Sequence, residues 1–186
     1  MSNPQTPKRP IKLVKSTLPD STLGTLENPI KLIAYRGDRA ACWFYRLHTP
    51  LIYLAQSNPK TFQIVVASAI TKDHLAEYYD IIILQRQYKM DVLAPILEQK
   101  KKGSKLIYEI DDDLFNIPDW NPAKRVLGKK SVQTGVKRFL NSIDALFVTT
   151  ETLRDTYKNY CEHIYVLPNS IDYSVLYKYP KNSVLQ

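Results

Sequence analysis

Six short runs of aliphatic and β-branched residues recur along the chain: Ile30 to Tyr35, Phe62 to Ala67, Ile81 to Leu84, Lys105 to Ile110, Ala145 to Thr149 and Ile164 to Leu167. Most show almost no alternation between apolar and polar positions. A strand with one wet face alternates, so runs that do not are expected to be buried on both faces, the condition of interior strands in a parallel sheet covered by helices. Longer mixed segments separate the runs, and no Asn-Gly or Asp-Gly hairpin turn joins them. The pattern predicts an α/β fold: a doubly wound, mostly parallel, Rossmann-like sheet in a single domain.

The segments between the runs carry helix signals. Thr49 is placed to cap a helix with Pro50 at its first position, where the missing N–H is no loss, and Leu51, Ile52, Leu54 and Ala55 supply its apolar side. Val92, Leu93, Ile96 and Leu97 fall at helical spacing between about Met90 and Lys102; lysines gather at the negative end and Gly103 closes it. Pro95 either bends this helix or sits in its first turn. A third helix is expected over Val132 to Leu140. A fourth follows Thr150 as cap, with Glu151 in its first turn and Leu153, Tyr157 and Tyr160 facing inward.

With 186 residues, of which 44% are hydrophobic and 24% charged, the chain has room for one well-packed domain. Residues 1–28 contain Pro4, Pro7, Pro10 and Pro19 among small polar residues and read as a flexible leader, with a short strand conceivable over Ile11 to Val14. The domain is expected over residues 29–175, and residues 176–186 as a tail or the start of a linker. Cys42 and Cys161 stand outside any zinc spacing and read as reduced. There is no signal-peptide pattern behind Met1 and no apolar run of membrane-spanning length, so a cytoplasmic protein is expected, at most peripheral to the inner face of a membrane. The formal charge of +8 favours anionic partners, among them nucleic acid, an anionic membrane surface or a phosphorylated substrate. Much of the excess lies in Lys100, Lys101, Lys102 and Lys105 and in Lys124, Arg125, Lys129, Lys130, Lys137 and Arg138. No stacking motif or reader helix supports nucleic acid.

In an open parallel sheet, ligands collect beyond the carboxyl ends of the strands. After the first run stands Arg36-Gly37-Asp38-Arg39, where Gly37 permits close approach of backbone and Asp38 and Arg39 offer an acceptor and donors. After the third run, Arg86 can grip a carboxylate or phosphate, or neutralise acids nearby. The fourth run leads straight into Asp111-Asp112-Asp113. Turn capping accounts for one such aspartate more readily than for three, and concentrated like charge calls for a ligand, a cation or an arginine. Hydrogen bonding to hydroxyls, general-base chemistry and, through the Asp111/Asp113 spacing, a divalent ion are the roles open to them. His48, His74 and His163 read as surface or satisfied residues. There is no GxGxxG, GxSxG, P-loop or HExxH pattern.

Taken in order, Tyr35-Arg36-Gly37-Asp38-Arg39 with Tyr45-Arg46 and Pro50-Leu51, Gln85-Arg86, Tyr108 to Phe115, Asp144 to Thr150 and Val166 to Asp172 resemble the N-terminal domain of bacterial and phage family 4 (family 1-like) glycosyltransferases over about residues 30–175. The resemblance implies a GT-B architecture: an N-terminal, acceptor-binding Rossmann-like domain facing a second domain that binds a nucleotide-sugar co-substrate. It implies Asp111 and Asp112 as catalytic candidates, where many relatives carry a His-Asp pair. Gly37, Asp38, Arg39, Arg86 and Asp113 would be acceptor-binding residues. Asn169 and Ser170 would lie at the interdomain cleft, Ser170 standing where glycine is commoner. No metal and no other cofactor is expected. The partner would be a glycan or lipid-linked acceptor, with the donor half absent from this sequence and conceivably supplied by a separately encoded domain. The alternative is a non-catalytic module that binds a glycan or pairs with a partner. A response-regulator receiver fits less well, because its acidic pair follows the first strand.

Overall fold

A computed structural model describes residues 28–37 and 41–170. The expected strand at Ile11 to Val14, the candidates Asp38 and Arg39, and the chain beyond Ser170 lie outside these residues. Six strands, β1 (Ile30–Tyr35), β2 (Phe62–Ala67), β3 (Ile81–Gln85), β4 (Lys105–Ile110), β5 (Ala145–Val148) and β6 (Ile164–Val166), form one sheet in the order β2-β1-β3-β4-β5-β6. Every pairing is parallel. The order reverses between β1 and β3, so the sheet is doubly wound and its switch point lies between those two strands.

Within β1, Leu32 and Ala34 pack on one face with Trp43, Leu47 and Leu51, while Ile33 and Tyr35 enter the larger core on the other. This two-sided burial is why the run shows no alternation. The first face is covered by α1 (Ala41–Trp43), a π turn (Phe44–His48) and α2 (Thr49–Ser57), which follow one another without a break. On the second face, α4 (Met90–Lys101), α6 (Lys130–Leu140) and α7 (Glu151–Tyr157) supply Leu93, Ile96, Val136, Phe139, Leu140, Leu153 and Tyr157 to the core. Two short helices, α3 (Lys72–Ala76) and α5 (Lys124–Leu127), complete the connections. Toward β6 the first face is less covered, and Tyr165 is 53% exposed there.

Thr150 caps α7 as expected, its side chain accepting from the Leu153 N–H, and Gly103 follows α4 with φ 113°. Pro95 stands within α4 as its sixth residue. Thr49 corrects the sequence reading. His48 (φ −57°, ψ −59°) and Thr49 (φ −61°, ψ −49°) are both helical, so Thr49 is interior rather than a cap. Pro50 cannot donate to the Arg46 carbonyl, and its ring crowds that oxygen in a regular helix. The wide turn just before it, closed by Thr49 N–H to Phe44 O, accommodates the proline. Neither cysteine forms a disulfide.

At the amino ends of the strands the acids are structural. Asp80 accepts from the Lys31 N–H at 2.8 Å, and Asp144 accepts from the Leu106 N–H at 2.8 Å while pairing with Lys100 at 3.2 Å. The Asp111–Asp113 triplet leaves the opposite, carboxyl rim.

Candidate functional site

A chain of buried polar contacts runs beneath the carboxyl rim. Gln85, fully buried at the end of β3, accepts from the Gly37 N–H at 3.1 Å and donates to Glu109 Oε2 at 2.8 Å. Glu109 Oε1 meets Arg46 Nε at 2.7 Å, and the two side chains are only 1% and 4% exposed, respectively. Arg46 also donates to the Leu167 carbonyl and, at 3.4 Å, to Asn169 Oδ1. Arg46 is the third residue of the π turn. Burial raises the Glu109 carboxyl above its ordinary range, and the hydrogen bonds and charge of Arg46 and the hydrogen bond from Gln85 oppose that rise.

Above this layer, Arg86 binds both Asp111 and, at 2.6 Å, Asp112, and its guanidinium lies 3.5 Å from Cys42 Sγ. Burial works against the Arg86 charge, but Asp111, Cys42 and Asp112 outweigh it and hold the guanidinium more firmly protonated than a free arginine. The Arg86 backbone is left-handed, with φ 46°, a conformation that costs a side-chain-bearing residue about 1–3 kcal/mol. Its N–H still bonds the Glu109 carbonyl at 3.1 Å, so the strain is held by the sheet. Gly37 packs beside it: a Cβ there would stand 2.5 Å from the Gln85 carbonyl and 3.0 Å from Arg86 Cβ, so only glycine fits.

The three aspartates divide their roles. Asp113 accepts from the Phe115 and Asn116 N–H groups at 3.0 and 3.2 Å and from Asn116 Nδ2 at 2.6 Å, which makes it a turn-capping acid. Asp111 is mostly covered, whereas the Asp112 side chain is 65% exposed and faces solvent. Tyr157 pins the loop from below, accepting from the Leu114 N–H at 3.0 Å and donating to the Asp112 carbonyl at 3.1 Å.

Two hollows flank this ridge. One, of about 330 Å³, is lined by Ala41, Cys42, Tyr45, Arg46, Asp111, Asn169 and Ser170, bringing together segments from three distant parts of the chain. The other, of about 410 Å³, opens at the switch point between β1 and β3, with Arg36, Ser68 and Lys89 among its polar lining. Both fall in the size range of small-ligand sites. The first holds its charges in matched pairs, Arg46 with Glu109 and Asp111 with Arg86, whereas the second has more cations than anions. Among the described residues, no three His, Cys, Asp or Glu side chains are grouped so as to hold a metal ion.

Of the residues singled out from sequence, Gly37, Arg86, Asp111 and Asp112 meet at one rim, and Asn169 and Ser170 share a hollow with Asp111. Arg46, Glu109 and Gln85 were not anticipated as site residues. Glu109 had a detectable signal, since a carboxylate inside a strand buried on both faces requires a charged partner. No protein-family model matches the chain, and no curated protein is significantly similar to it. Fold and rim together define a doubly wound α/β domain with a preorganised, acid-bearing carboxyl rim.

Proposed function

We propose that this rim is the acceptor side of a glycosyl-transfer site. The supporting observation is the convergence of Tyr45-Arg46, Asp111 and Asn169-Ser170, far apart in sequence, on one hollow of about 330 Å³. In this reading the hollow takes a sugar of the acceptor. Asp111 and Asn169 hydrogen-bond its hydroxyls, Tyr45 offers an aromatic face, and the exposed Asp112 accepts the proton of the attacking hydroxyl. Arg86 holds the two carboxylates at fixed positions, supplying orientation rather than chemistry. The nucleotide-sugar belongs to a second domain outside these residues.

Titration of the purified chain with neutral glycans and separately with nucleotide-sugars, with and without manganese, tests the reading. Saturable glycan binding that Asp111→Asn weakens supports it. Tight nucleotide-sugar binding by these 186 residues alone would refute it. One observation favours a second reading, a glycan-binding module without catalysis: Arg86 engages both Asp111 and Asp112, so neither carboxylate is free of an ion pair. Adding a donor-binding domain separates the two. Sugar transfer that Asp112→Asn abolishes, with glycan affinity retained, requires the first.

A further inference from the structure

The loop that carries the chain from the acid triplet to α6 has a composition that rim chemistry does not use. Trp120 is 82% exposed, the most exposed large apolar side chain among the described residues, and Val126 nearby is 50% exposed. A bare indole is costly in water and is the side chain that settles best at a membrane–water interface. Pro118 to Lys130 is a compact series of turns, with Asn121 N–H bonding the Pro118 carbonyl at 3.0 Å and Leu127 N–H bonding that of Ala123 at 2.9 Å. It carries Lys124, Arg125, Lys129 and Lys130, all exposed, against the single acid Asp119. Asp119 pairs with Lys124 at 2.5 Å, and among the described residues Arg125, Lys129 and Lys130 form no ion pair, five to ten positions along the same segment from the indole. Lys129 and Lys130 also stand at the positive end of α6, where lysine weakens the helix, so helix stability does not account for them.

We infer that this loop is a docking surface for an anionic lipid bilayer, with Trp120 entering the headgroup layer and Arg125, Lys129 and Lys130 held against acidic headgroups. The match is one of charge and polarity: an exposed aromatic side chain and exposed cations on one short segment meet a surface that is negative outside and apolar within. The loop leaves the same rim as Asp111 and Asp112. Insofar as the transferase reading holds, adsorption brings that rim to the lipid headgroups and favours a lipid-linked acceptor. The adsorption itself does not depend on that reading.

Flotation of the full chain with phosphatidylcholine vesicles, with and without phosphatidylglycerol, tests this, together with tryptophan emission. Binding should require phosphatidylglycerol, reverse with salt, and shift the emission to the blue. Trp120→Ala should lose the shift, because the only other tryptophan, Trp43, is already buried. Each basic residue near an anionic bilayer contributes roughly fivefold, so Arg125→Gln/Lys129→Gln/Lys130→Gln should lower the partition coefficient about a hundredfold. Circular dichroism checks that both variants keep the fold. Absence of vesicle binding, equal binding to neutral vesicles, an unchanged triple variant, or capture of a polynucleotide in place of vesicles would each overturn the inference. Because no glycan or donor is present, vesicle binding without glycan binding would sink the transferase reading alone, and glycan binding without vesicle binding would sink this one alone.

Discussion

Replacing Arg46 by methionine should strand a charge in the interior. The methionine retains most of the apolar stem but removes the partner of Glu109, whose side chain is 1% exposed and then keeps only Gln85. Removing one member of a buried ion pair typically costs about 3–5 kcal/mol, a large fraction of the roughly 5–15 kcal/mol that holds a domain together. At roughly 2–4 °C per kcal/mol for a chain of this length, the melting temperature should fall by about 6–20 °C near neutral pH. The loss should itself depend on pH. Burial already raises the Glu109 carboxyl above its ordinary 4.5, and without Arg46 less opposes that rise. A carboxyl with a raised value in the folded state binds its proton more readily there than in the unfolded chain, so its stabilising contribution is present below the unfolded value and is lost as pH climbs through the folded one. The deficit of Arg46→Met against the wild type should therefore be smallest near pH 4.5 and grow upward from there. Arg46→Met/Glu109→Gln should recover much of the neutral-pH loss. Thermal melts by circular dichroism across that range decide it. A deficit that does not change with pH, or a double variant less stable than Arg46→Met, would mean that lost packing rather than stranded charge sets the cost.

Gly135→Ala should destabilise despite the better helix propensity of alanine: the new Cβ would stand 2.0 Å from the Tyr88 carbonyl, forcing α6 off the loop that follows β3. A cost of roughly 1–3 kcal/mol should show as a lower urea midpoint with an unchanged slope. Thr150→Ala should cost about 1 kcal/mol through loss of the α7 cap, whereas Thr49→Ala, interior to its helix, should leave the urea midpoint nearly unchanged. Tyr157→Phe removes the hydroxyl that accepts from the Leu114 N–H and donates to Asp112, at roughly 1–3 kcal/mol for a buried group left unsatisfied. Hydrogen exchange at Leu114 should accelerate even where global stability is kept.

The strands were legible because burial on both faces leaves an unmistakable mark, and β1 through β6 fall where uninterrupted aliphatic runs predicted them. Their spatial order was not legible: nothing in Ile81 to Leu84 says that it lies between β1 and β4, since order is set by the packing of crossover helices. Thr49-Pro50 misled because the pair satisfies the local chemistry of a helix start, while tertiary packing of Trp43 and Leu47 against the sheet extends the helix in front of it. For the rim, the exposed signals Gly37, Arg86 and Asp111–Asp112 could be read, whereas the buried Gln85–Glu109–Arg46 connection is long-range, joining residues 24 and 63 positions apart. Pairing across such separations is visible only once the sheet is assembled.

That buried connection explains how the rim can hold what is otherwise unfavourable. Two adjacent carboxylates and a left-handed Arg86 each raise the energy of the loop they sit in, and neither feature persists without a rigid base. The base is supplied from three directions: Gln85 and Glu109 fix the ends of β3 and β4 beneath Arg86, Tyr157 reaches from α7 to the backbone of Asp112, and Gly37 closes against β3 with no room for a side chain. Gln85, Glu109 and Tyr157 are held by the core, and the exposed Gly37 is tied to it through Gln85. The positions of Asp111 and Asp112 are therefore set by folding, so any ligand drawn to this rim would meet groups whose ordering cost is already met.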